Sequence, residues 1–417
     1  MNHLRPLFAV MLVALSPLVT WADDWPQWRG PHRDAISAET GLLQAWPAEG
    51  PKLVWQVNDV GAGYSTPAVV GDRLYVMGNE GTDNEFVQAR SVADGSVVWT
   101  VTIGKVGPNR GPQYPGSRST PTVDGDMLYV LGSDGDLTCL ETASGSEVWK
   151  QQLRADFGGM PGQWAYSESP LVDGDTLICT PGGATATVLA LDKRTGEAIW
   201  KAALPEADEA AYASAIIANG GPSGKQYIQF VQKGLVGLDA ATGTPLWRYA
   251  RTAEGSPANI PTPIVSDNFV YSAASRSGSG LVKLVEADGA LKAEEVYFQK
   301  GLPAAIGGAL KLGDQLYGTS GAGMMCVDFA TGEVKWQERG IGTGSICLAD
   351  GRIYLHGETG EAALIEPSVE GYKEHGRFTP PNQPDRGDAK AWAYPVVANG
   401  RLYLRDATSL WSFDIAR

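Results

Sequence analysis

The chain alternates short apolar runs with glycine- and aspartate-containing turns, and it does so in a phrase that returns. Residues 65–78 read STPAVVGDRLYVMG, and residues 119–132 read STPTVDGDMLYVLG. Copies of falling fidelity begin near Ser65, Ser119, Ser169, Ser214, Pro261, Gly307, Gly344 and Tyr394. A second phrase follows each first one, a polar turn with glycine and then an aromatic. It runs VADGSVVW to Trp99, TASGSEVW to Trp149, KRTGEAIW to Trp200, AATGTPLW to Trp247 and FATGEVKW to Trp336, with looser versions ending at Phe298 and Phe378. Period-two alternation in MLYVLG and EVWKQ predicts strands. In the second unit, Asp124-Gly125, Asp134-Gly135 and Ser144-Gly145 supply the positive φ that two-residue hairpin turns need.

Each unit of about 37–54 residues therefore predicts four antiparallel strands, the form of a β-propeller blade. The last phrase, LWSFDIAR, reads as a third strand with no fourth behind it, whereas PKLVWQV around Trp55 reads as a fourth strand with no first three. Pairing the two completes a ring and removes the open sheet edge. The expectation is an all-β, eight-bladed propeller over residues 51–417, closed by its N- and C-terminal strands, with residues 23–50 as an extension packed on it.

Composition sharpens this picture in a few places. Glycine is abundant, 52 of 417 residues without collagen periodicity, as many tight turns require. The formal charge of −14 argues against nucleic acid or an anionic membrane as partner. Residues 1–22, MNHLRPLFAVMLVALSPLVTWA, have the basic start, short apolar core and small residue before the cut of a secretory signal. The mature chain is thus expected to be soluble and exported, to periplasm or medium, with no cysteine placed for a lipid anchor. Cys139, Cys179, Cys326 and Cys347 sit singly in strand-like runs; there is no C-x-x-C, hence no zinc ribbon or attached haem. His32, His356 and His375 lie in different units without a second ligand at metal spacing. No nucleophile elbow, phosphate loop or H-E-x-x-H occurs.

The repeated TGExxW phrase resembles the tryptophan-docking repeats of pyrroloquinoline-quinone propellers. Residues 24–417 resemble the exported PQQ-like repeat family, which includes the outer-membrane assembly factor BamB; DWPQWRGP (24–31) and WAYSESPLVDGD (164–175) carry the same likeness. Recurrence assigns Trp99, Trp149, Trp200, Trp247 and Trp336 to docking between blades, each indole N–H meeting a backbone carbonyl. Chemistry is then sought where the copies differ, just before each first strand, since those loops ring one mouth of the channel. That ring contains Tyr64, Arg118, Trp164 with Tyr166 and Glu168, Asn259, and Trp392 with Tyr394, and its longest inserts span 105–118, 155–168 and 379–394.

If the resemblance extends to the quinoprotein dehydrogenases, it implies calcium held by Glu168 and Asn259, the quinone PQQ stacked on Trp164 or Trp392, and Arg118 paired with a cofactor carboxylate. It also implies a catalytic Asp, and QKGLPAAIGG (299–308) offers none. The reading preferred from sequence is accordingly a non-catalytic exported scaffold whose mouth loops bind another exported or outer-membrane protein or a small ligand. A PQQ- and calcium-dependent alcohol or sugar dehydrogenase is second. A BamB-like assembly partner is third.

Overall fold

The computed structural model describes residues 24–108 and 116–417, which form eight four-stranded antiparallel sheets set around a central channel. The expected signal at 1–22 and the middle of the 105–118 insert lie outside the described residues. Blades 1 to 7 span 68–104, 122–152, 171–202, 216–249, 264–299, 309–338 and 344–378. Blade 8 takes three strands from 396–414 and its outermost strand, Lys52–Val57, from the other end of the chain. That strand pairs antiparallel with Ser409–Asp414, from Lys52 opposite Asp414 to Val57 opposite Leu410. The expected closure is the observed one. Among the described residues, helix is confined to Leu153–Phe157 and a 3-10 turn at Arg251–Ala253.

In blade 2 only the first hairpin has the expected two-residue loop, Gly125-Asp126. The third-to-fourth strand connection is longer, and the outer strand bulges beside it, between Cys139 and Leu140 in blade 2. That longer turn has a second job. In blades 1 to 4 its glycine lies under the aromatic ring of the preceding blade: a Cβ on Gly95, Gly145, Gly196 or Gly243 would come within 3.0 Å of Trp55, Trp99, Trp149 or Trp200. The same indoles donate to carbonyls of that turn, Trp55 to Val92 (2.9 Å), Trp99 to Thr142 (3.0 Å), Trp149 to Lys193 (2.9 Å) and Trp200 to Ala240 (3.1 Å). Trp336 donates likewise to Ser368 in blade 7 (2.7 Å).

One expected docking aromatic, Trp247, and the aromatic of one looser copy, Phe298, behave differently. Trp247 donates to Gln226 Oε1 inside its own blade, and the joint to blade 5 is made instead by the Tyr249 hydroxyl donating to Glu295 (2.7 Å). In blade 5 the bulge between Leu281 and Val282 puts Tyr297, rather than Phe298, over the next turn, where its hydroxyl reaches the Phe329 carbonyl (3.1 Å). Phe378 closes the ring from blade 7: it packs edge-on against Phe413 and lies against Gly50, immediately before the N-terminal strand.

Residues 24–46 run across the ends of the first strands and the first hairpin turns. Trp25 bridges Val69 in blade 1, Pro26 accepts from Val123 in blade 2, and Ala35 and Ser37 flank Leu348 in blade 7. Arg29 and Arg33 are buried beneath this segment. Arg33 donates to the carbonyls of Ser169, Pro170 and Ala215, and Arg29 to those of Arg33, Asp34 and Ala309. Two cations solvated by carbonyl oxygens from several blades make the segment part of the ring rather than a tail.

The ring-on-glycine contact separates from ordinary turn strain. Gly125→Ala, at φ +61° with nothing within 4 Å of the new methyl, is expected to cost about 1 kcal/mol. Gly243→Ala, at φ +71° with the methyl 2.4 Å from Trp200, is expected to cost roughly 1–3 kcal/mol more in urea unfolding. Equal losses would contradict the docking role.

Candidate functional site

A blade's first strand runs away from its lead-in loop, so the eight lead-in loops and the second-to-third strand turns share one mouth, opposite the N-terminal segment. At that mouth lies a chamber of about 210 Å³. Its wall takes Tyr64, Arg118, Trp164, Ser167, Tyr212, Ile260, Ile306, Trp392 and Tyr394 from successive lead-in loops, and Trp28 from the N-terminal segment. The Trp28 indole donates to Thr262 (2.8 Å) and its ring meets Tyr394 edge-on at 4.5 Å. The segment that crosses the far side therefore also contributes to the chamber.

The polar ends of these aromatics are tied into the wall. Trp392 Nε1 donates to Glu358 (3.1 Å), the Tyr394 hydroxyl to the Ile306 carbonyl (2.9 Å), and the Trp164 backbone N–H to the Tyr212 hydroxyl (3.0 Å). What remains toward the chamber is ring surface. Tyr64 and Trp392 pack at 5.2 Å, Trp164 and Tyr212 at 5.9 Å. Arg118 is the one charged side chain among the described lining residues. It donates to the Trp164 carbonyl (2.7 Å), and its guanidinium lies 5.7 Å from the centre of the Tyr64 ring.

The structure thus brings together Tyr64, Arg118, Trp164, Trp392 and Tyr394 of the residues singled out from sequence. It takes Tyr166, Glu168 and Asn259 into the wall. Ala165, at φ +67°, breaks the alternation that would have put residues 164, 166 and 168 on one side. Trp164 and Ser167 line the chamber instead. Tyr166 donates its hydroxyl to the Pro181 carbonyl (2.7 Å). Glu168 accepts from Thr180 N–H (2.7 Å) and Gln229 Nε2 (2.8 Å). Asn259 donates to the carbonyls of Val231 (2.8 Å) and Gln232 (3.0 Å). Trp28, Tyr212, Ser167, Ile260 and Ile306 were not foreseen; Trp28 lies outside the repeats, and the others fall in loops whose wording is unremarkable.

These donors do not fit calcium and PQQ. Calcium asks for six to eight converging oxygens. Here Glu168 and Asn259 stand in separate hydrogen-bonded networks, and no group of three or more His, Cys, Asp or Glu among the described residues could hold a metal. A tricarboxylate such as PQQ would face one lining cation and many ring faces. Burial also pushes the Glu168 carboxyl up to about 7, against the opposing pull of its Thr180 and Gln229 hydrogen bonds and the Arg33 charge.

A second recess of about 340 Å³ adjoins the chamber and shares Tyr212 and Ala258 with it. Gln163, Glu209, Gln232, Ser256 and Asn259 line it. The Asn259 Oδ1 is buried without a hydrogen-bond partner, as is the Ser167 hydroxyl on the chamber wall.

Comparison with known proteins bears on the whole ring. The model of a family described as outer membrane protein assembly factor BamB matches residues 83–338. BamB of Burkholderia pseudomallei is 25% identical over 320 residues, 68% of this chain and 80% of that one. BamB from Moraxella catarrhalis superposes with a TM-score of 0.57 at 17% identity, covering 86% of this chain and 97% of the other. The quinohemoprotein alcohol dehydrogenase ADHIIG from Pseudomonas putida HK5 superposes with a TM-score of 0.52 at 12% identity, covering 94% and 80%. Both structural likenesses are likenesses of fold.

Glu168 gives the site a testable pH signature. Its folded-state pKa lies above the ordinary 4.5, so the folded chain holds this proton more tightly than the unfolded one. That contribution is complete below about pH 4.5 and is lost as pH rises through about 7. Relative to Glu168→Gln, the wild-type unfolding free energy should fall by on the order of 3 kcal/mol across that window. Parallel profiles for the two chains would contradict the buried, proton-holding carboxyl.

Proposed function

The chain belongs to the family of the outer membrane protein assembly factor BamB, and from that premise we propose that it is an exported binding scaffold that works through its channel mouth. The observation that carries this reading is the asymmetry of the channel. One side is crossed by residues 24–46 and their buried arginines, while the other holds a chamber whose lining differs from blade to blade. The repeated aromatics are spent on closing the ring. The unrepeated ones gather where a guest, either a small ligand or a side chain of a partner protein, would lose the most water. Residues 1–22 support export, and the names of its relatives support an envelope protein as the partner. The dehydrogenase reading is disfavoured by the donor chemistry of Glu168, Asn259 and Arg118.

The test places a photo-cross-linking phenylalanine analogue, which keeps an aromatic ring, at position 392 in the mouth or at Val98 on the exposed outer rim. Adducts from envelope extract are expected at position 392 and absent at 98. The same protein, mixed with PQQ and calcium, is expected to reduce no acceptor dye when given alcohols or sugars. Adducts confined to position 98, or dye reduction abolished by Glu168→Ala, would overturn the proposal.

A further inference from the structure

We infer that the chamber and the adjoining recess together form a site for a neutral saccharide, one sugar ring seated among the aromatics and the next lying over the recess. The inference rests on the mouth-binding reading above and specifies its ligand. The chamber, at about 210 Å³, is smaller than the roughly 300–1,000 Å³ of sites for drug-sized ligands, so it takes a single ring. Its walls are the faces of Trp28, Tyr64, Trp164, Tyr212, Trp392 and Tyr394, whose polar ends are largely turned into the protein. Such faces stack against the C–H surface of a pyranose as they do against other apolar faces.

The polar complement excludes the competing chemistries. A quaternary ammonium would share the chamber with the Arg118 guanidinium. A polycarboxylate would find one cation among the described lining residues, in a chain of net charge −14. A hydrocarbon would cover the Arg118 guanidinium, the Gln163 amide and the Glu209 carboxylate without bonding to any of them, at the cost of their desolvation. A sugar hydroxyl both donates and accepts, and it is the group that serves this mixture. It can accept from the guanidinium of Arg118 and donate to the Glu209 carboxylate and to the Gln163 amide oxygen.

The decisive experiment titrates the mature chain, by calorimetry and tryptophan fluorescence, with a fixed set of probes. These are neutral mono- and disaccharides of glucose, galactose, mannose and xylose, together with galacturonate, choline and 4-hydroxybenzoate. At least one neutral disaccharide is expected to bind, more tightly than its monosaccharide. Its affinity should fall at least tenfold in Trp392→Ala and severalfold in Gln163→Ala, which tests the recess without touching the aromatic wall. Trp392→Phe, which keeps a ring at the position, should retain most of the binding and guards against a folding defect. Binding of galacturonate, choline or hydroxybenzoate alone, in a Trp392-dependent way, would overturn the saccharide assignment and leave the mouth-binding reading standing. Sugar binding unchanged in Trp392→Ala would overturn the placement of the site. If no probe binds, the saccharide assignment falls, and the cross-linking at position 392 decides the broader reading by itself.

Discussion

The whole arrangement depends on one contact, an aromatic ring from one blade resting on the glycine turn of the next. Eight wedge-shaped sheets close into a ring only if each holds its neighbour at nearly the same angle. A bare glycine lets a ring approach where any side chain would push it away, and the N–H of Trp55, Trp99, Trp149 or Trp200 then fixes the ring to a carbonyl of the same turn. The seam where the chain ends meet uses the same device, with Phe378 lying against Gly50. Pairing of Lys52–Val57 with the last strand then gives the seam blade its fourth strand and turns a row of blades into a closed ring. The joint between blades 4 and 5 departs from the pattern, because Trp247 is engaged within its own sheet and Tyr249 and Glu295 carry the link.

Closure leaves a channel, and the channel's two ends have different fates. On one side the N-terminal segment inserts Arg29 and Arg33, each solvated by backbone carbonyls. Buried guanidinium groups with such partners act as cross-braces, since a shift of one blade would strand a charge away from water. On the other side the lead-in loops are released from the demands of the repeat. There Trp164, Trp392 and Tyr64 can face a common space, with Arg118 among them. Trp28 joins the two ends, bonded to Thr262 and packed on Tyr394, so the segment that braces the ring also lines the chamber.

Much of this was legible in the sequence, for identifiable reasons. The blade count, the strand order and the shared eighth blade follow from local signals, namely alternation and turn glycines, repeated often enough that errors average out. Tyr64, Arg118, Trp164 and Trp392 were found because position before a first strand fixes which mouth a residue reaches. Glu168 and Asn259 occupy the same kind of position, yet side-chain direction is set by single backbone angles such as φ +67° at Ala165, which no pattern announces. The arginines of DWPQWRGPHRDA look like surface residues in sequence. Their burial depends on carbonyls more than a hundred positions away. The choice of Tyr297 over Phe298 likewise turns on one bulge.

The central claim is a division of labour: repeated aromatics hold the ring, and unrepeated ones at the mouth hold the guest. It is tested most directly by measuring thermal stability and guest capture together for Trp149→Ala and Trp392→Ala. The account predicts that Trp149→Ala lowers the melting temperature by several degrees while the folded fraction captures as wild type does. It predicts that Trp392→Ala melts close to wild type and loses capture. The reverse pattern, or parallel loss of both properties in both variants, would contradict it.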